Sequence, residues 1–90
     1  MTNKRDLKRT INYICSDLFA ECVDASLYSG KLNEDNVNAL LTSIIHTQND
    51  YVSRISHPEP GMKPHDYFKD VTENFNKQVA EIVDQICNLD

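Results

Sequence analysis

Three groups of side chains in this chain have the types that chemistry needs. His57, Met62 and His65 cluster around a proline-rich stretch. His46 and Asp50 lie four residues apart, and Cys15 and Cys22 seven apart. Imidazole, thioether and carboxylate groups could hold a metal ion, but a structural zinc site wants four ligands at characteristic spacing, and no such set is visible. On a helix His46 and Asp50 share one face, and that face points away from the apolar stripe. No native metal site and no cofactor are expected.

Nucleophilic chemistry has less support still. Cys15 and Cys22 fall on an apolar helical face, where cysteine acts as a small inert hydrophobe. About 10 Å of helical rise separates them, too far for a disulfide. Cys87 lies near a helix C-terminus, away from the positive helix end that activates a thiol. No Ser-His-Asp set, phosphate-cradling glycine loop or paired carboxylates on an apolar face appear, so the expectation is a protein that is not an enzyme. Three cysteines without a CxxC pair fit reduced thiols in a cytoplasm.

Charge narrows the partners. Nine Lys and Arg face fourteen Asp and Glu, for a net charge of −5. Nucleic-acid affinity comes mostly from neutralising phosphates, so an acidic chain is a poor general binder. Residues 1–10 nevertheless carry Lys4, Arg5, Lys8 and Arg9 against Asp6 alone. These four could bind an anion. The simpler expectation pairs them with Asp66, Asp70 and Glu73, which begin the last helix at the same end.

The elements that position these residues are helical. Only two Gly and three Pro interrupt the 90 residues, too few turns for a sandwich or barrel. Leu7, Ile11, Ile14, Cys15, Leu18, Phe19, Cys22 and Val23 recur at helical spacing and predict a first helix over about residues 3–28. Thr2 or Asn3 would cap its start and Gly30 its end. Asn33 is a good cap for a second helix over 34–56, with Leu32 and Val37 as a hydrophobic staple. Its expected buried face is Val37, Leu40, Leu41, Ile44, Ile45, Tyr51, Val52 and Ile55. Pro58, Pro60, Gly61 and Pro64 make 57–64 a stiff loop. Pro64 then leads into a third helix over 65–87, with Phe68, Val71, Phe75, Val79, Ile82, Val83 and Ile86 on its stripe. The result is an all-α, single-domain, up-down-up three-helix bundle. Its N-terminal basic cluster and its proline loop share one end. The N-terminal stretch is broken by Asn12, Ser16 and Asp17, so neither a signal peptide nor a membrane span is expected.

Two irregularities point toward function. Gln48 falls within the apolar stripe of the second helix. Buried without a partner it would cost about 1–3 kcal/mol, so a register-fixing contact with Asn74 or Gln78 is expected, the other reading being a polar group lining a pocket. The first helix has an apolar stripe about half its circumference wide, more than two neighbours obviously require. This makes it the expected central helix, with Phe19 and Val23 at the stripe's edge and Tyr13 and Tyr28 off it. These four are the expected self-association residues, in a protein-interaction module that forms a homodimer or binds another protein. The other expectation is a small-molecule or metal site at the loop end, around His57, Met62 and His65.

The runs Asn12-Tyr13-Ile14-Cys15, Leu18-Phe19-Ala20-Glu21-Cys22 and Ser56-His57-Pro58-Glu59-Pro60-Gly61-Met62-Lys63-Pro64 resemble those of short uncharacterised helical proteins of anaerobic bacteria. The resemblance covers most of the chain and implies a bacterial, cytoplasmic origin. It implies no activity, cofactor or site.

Overall fold

A computed structural model describes residues 4–29 and 34–89. Three helices follow in order: α1 (Lys4–Ser29), α2 (Glu34–Ser56) and α3 (Pro64–Cys87). They form an all-α three-helix bundle measuring 48 × 19 × 16 Å. The helix limits lie within one residue of those expected from periodicity. The caps and staple expected at Thr2, Asn3, Gly30, Leu32 and Asn33 lie outside the described residues.

Each helix buries one narrow stripe. Ile11, Cys15, Leu18 and Cys22 come from α1; Val37, Leu40, Ile44, Thr47, Tyr51 and Ile55 from α2; Tyr67, Val71, Phe75 and Ile82 from α3. The steps of three and four residues along α1 and α2 keep each stripe facing its partner, as in coiled-coil packing. Between α2 and α3, the Tyr51 and Phe75 rings meet edge to face at 5.3 Å. That pairing contributes about 0.5–1.5 kcal/mol beyond burial alone.

The α2–α3 turn is tied at both sides. His57 N–H donates to the Ser53 carbonyl at 3.0 Å, and Met62 N–H to that of Glu59 at 3.2 Å. Pro64 occupies the first turn of α3, where its missing N–H costs nothing. Lys63, in extended backbone before it, makes no side-chain cap, but its carbonyl accepts from Tyr67 N–H at 2.9 Å. The far end of α3 closes through Asn88, whose N–H donates to Asp84 and Gln85 carbonyls and whose side-chain amide donates to Asp84 O at 2.7 Å.

The packing is uneven. α1 lies against both other helices, mainly along α2, and α3 leans more on α2 than on α1. The helix shared by two extensive neighbours is therefore α2, not α1 as the stripe width suggested. Leu7 at the start of α1 stands across an open groove of about 670 Å³ from Pro64, His65, Phe68, Lys69, Thr72 and Glu73.

That asymmetry rotates two stripes from their expected positions. Ile45, expected in the core, is 47% exposed, whereas Ile44 beside it is 1% exposed. Val83 is also 40% exposed, while Tyr67, absent from the expected stripe, is buried. α3 covers one side of α2 and leaves the other uncovered, so residues on the covered side enter the core.

Candidate functional site

The feature that stands out is the flank of the α1–α2 pair that faces away from α3. One hydrogen bond marks it. Gln48 Nε2 donates to Asn12 Oδ1 at 2.8 Å, across the two antiparallel helices. Gln48 is thus half-buried on the rim and paired with Asn12, not with Asn74 or Gln78 across the core. Asn74 instead donates to Asp70 Oδ2 within its own helix at 3.4 Å. The buried polar residue of α2 is Thr47, 7% exposed. Thr47 and Gln48 lie at similar angles either side of the Ile44 line, and α3 covers the Thr47 side.

At about 100° per residue, Asn12, Phe19 and Val23 fall within about 40° of one another on α1. By the same measure Leu41, Ile45, Gln48 and Val52 fall within about 60° on α2. The Asn12–Gln48 bond turns these two sets toward a common seam. α3 sits on the opposite side of both helices. Its contacts there include Tyr67 Oη donating to Arg54 O at 2.9 Å, and Gln85 and Leu89 facing Asn36, Ala39, Leu40 and Ser43. The seam therefore presents Phe19, Val23, Leu41 and Val52, all half-buried, and the exposed Ile45. Phe19, Leu41 and Val52 pack inward against the core as well.

Of the four residues expected at an interface, Phe19 and Val23 share this flank. Tyr13, 75% exposed, lies on the outer side of α1, and Tyr28, 92% exposed, about 60° from it. Leu27, unremarked in the sequence, is as exposed as Tyr13. Ile45 is the seam residue that sequence reasoning missed, because its spacing fits the α2 stripe as well as that of Ile44.

At the loop end, His57, Met62 and His65 are all exposed, and only His65 lines the groove opposite Leu7. The described residues contain no group of three or more His, Cys, Asp or Glu that could hold a metal ion. His46 is exposed, and Asp50 takes the Arg54 guanidinium at 3.1 Å. The same guanidinium lies 4.8 Å over the Tyr51 ring.

The basic cluster does not find its expected partners. Among the described residues no ion pair joins Lys4, Arg5, Lys8 or Arg9 to Asp66, Asp70 or Glu73. The reason is geometric. At about 100° per residue Arg5 and Lys8 fall on the seam side of α1, and a groove opens between the first turns of α1 and α3.

Cys15 and Cys22 are buried and unpaired, and Cys87 is exposed. Burial pushes both buried thiols above their ordinary value of 9.0, so neither is an activated nucleophile. Among the described residues no helix is long and apolar enough to cross a membrane. Comparison of the chain with known protein families, curated proteins and solved structures finds no match.

Proposed function

We propose that the protein is a non-enzymatic helical interaction module that self-associates through the outer flank of α1 and α2. The observation that carries this reading is Ile45, a large aliphatic side chain held 47% exposed one turn from the half-buried Leu41, with Phe19 of α1 level with Leu41. A contiguous apolar patch on a small domain commonly marks a contact surface. The notch between two antiparallel helices also suits a third or fourth helix of a larger bundle. Three free thiols support a reducing, cytoplasmic setting.

Sedimentation velocity over a rising concentration series tests the proposal. Wild type is expected to shift toward twice the chain mass, and Ile45→Glu to stay at one chain with its helical spectrum intact. A wild-type monomer at high micromolar concentration removes the proposal.

One observation favours a second reading, a small-molecule site at the loop end. The groove at His65 is lined by the apolar Leu7, Pro64 and Phe68, with Lys69 among its polar residues. Pockets of this size hold ligands in other bundles. A thermal-shift screen of divalent cations and small amphipathic acids tests it. A shift lost in Phe68→Ala supports the site, and no shift with any probe removes it.

A further inference from the structure

We infer that the occupant of the α1–α2 flank is a second copy of this chain, packed antiparallel about a two-fold axis that crosses the helices between Leu41 and Ile45. This rests on the self-association proposed above and adds its geometry. An isologous contact requires a surface complementary to itself after rotation. Two properties of the flank meet that requirement.

The first is the distribution of charge along it. Arg5 and Lys8 fall on the seam side of α1, at the end near the proline turn. Glu34, the first residue of α2, falls on the seam side at the other end. Between them the seam carries no charged residue: Asn12, Phe19 and Val23 lie on α1, and Leu41, Ile45, Gln48 and Val52 on α2. A parallel pairing sets Arg5 and Lys8 beside their own copies. An antiparallel pairing brings them to the end that carries the partner's Glu34. Like charges brought together at an interface select against the wrong orientation, so the flank favours the antiparallel one.

The second is register. The Asn12–Gln48 bond fixes the relative height of the two helices. It sets Lys8 about level with Val52, Phe19 with Leu41, and Ser26 with Glu34. The midpoint in height between Lys8 and Glu34 then falls between Leu41 and Ile45. Rotation about that midpoint lays Leu41 against the partner's Ile45, and Ile45 against the partner's Leu41. The half-exposed isoleucine is covered by the same operation that matches the charges. Asn38 likewise comes opposite the partner's Gln48, so the polar rim meets polar rim.

Sedimentation equilibrium on charge-reversed full-length chains tests this, with circular dichroism as the check on folding. Lys8→Glu is expected to raise the dimer dissociation constant about fivefold or more, and Lys8→Glu combined with Glu34→Lys to bring it back to within about twofold of wild type. Raising salt from about 50 to about 500 mM is expected to weaken the wild-type dimer, because screening removes a favourable contact. The salt series needs no variant. A dimer that tightens with Lys8→Glu or with salt is parallel, and one indifferent to both uses another face. Either result overturns the antiparallel geometry while leaving self-association standing. A wild-type monomer at every concentration overturns both.

Discussion

The phenolic Oη of Tyr67, early in α3, donates to the backbone carbonyl of Arg54, in the last turn of α2, at 2.9 Å. The last four carbonyls of a helix lack intrahelical partners. Tyr67 supplies one of them from across the proline-rich turn. Its ring is buried and meets that of Phe68 edge to face at 5.7 Å. One side chain therefore both anchors the start of α3 and completes the end of α2. Tyr67→Phe keeps the ring and removes the donor, so a loss of about 0.5–1.5 kcal/mol is expected in urea unfolding. Tyr67→Ala removes both and is expected to cost about 3–5 kcal/mol. Equal losses for the two variants would show that the hydroxyl, not the ring, holds the turn.

Adjacent isoleucines on α2 offer a sharp comparison. Ile44 is enclosed and Ile45 half-open. Ile44→Ala is expected to destabilise by about 2–5 kcal/mol, the usual range for a large-to-small change in a packed core. Ile45→Ala, measured at a concentration where the chain is monomeric, is expected to cost under about 1 kcal/mol. Chemical denaturation reads both. A reversed order would mean that α2 is rotated by one residue from the orientation described.

The Asn12–Gln48 bond lies on a partly solvated rim, so its net contribution is expected to be small. Gln48→Leu is expected to keep the helical spectrum and to change stability by less than about 1 kcal/mol in either direction. A double-mutant cycle with Asn12→Ala and Gln48→Ala isolates the pair, with an expected coupling of about 0.5 kcal/mol. Failure of Gln48→Leu to fold would show that the amide holds the register of the bundle by itself.

The two buried thiols link stability to alkaline pH. Both have folded-state values raised above 9.0 by burial. Well below 9.0 the folded and unfolded chains hold these protons equally, and the stabilisation is fully present. As pH rises above that value the unfolded chain releases the protons first, and stability falls until the folded-state values are passed. Unfolding midpoints between about pH 8 and pH 10 are expected to decline, and to decline less in Cys15→Ala/Cys22→Ala. In the native protein a thiol reagent is expected to modify Cys87 quickly and the other two only on unfolding.

Much of this arrangement is legible in the sequence, and the exceptions share a cause. Prolines 58, 60 and 64 and the three-and-four spacing fix three helices and the turn between the last two, because those signals are local. Which side of each helix is covered is not local. The α2 stripe accommodates Ile44 with either Thr47 or Gln48, and the choice depends on where α3 settles. The same placement decides that Ile45 stays open, that Tyr67 enters the core, and that Arg5 and Lys8 turn away from Asp66, Asp70 and Glu73. The width of the α1 stripe is real, but it does not make α1 the central helix. Phe19 and Val23 widen it because they border α2 and the seam, not because α1 holds the centre.

The uneven lean of α3 has a consequence for how the molecule opens. Its hold on α1 is slight, and the groove beside Leu7 already separates their first turns. Cooperative units within a protein come apart in order of their shared buried contacts. Amides of α3 are therefore expected to exchange with deuterium through a partial opening that leaves the α1–α2 hairpin closed, and amides around Cys15 and Ile44 only through global unfolding. The flank marked by Asn12 and Gln48 would persist in that partly opened form, so the contact surface outlasts the bundle that displays it.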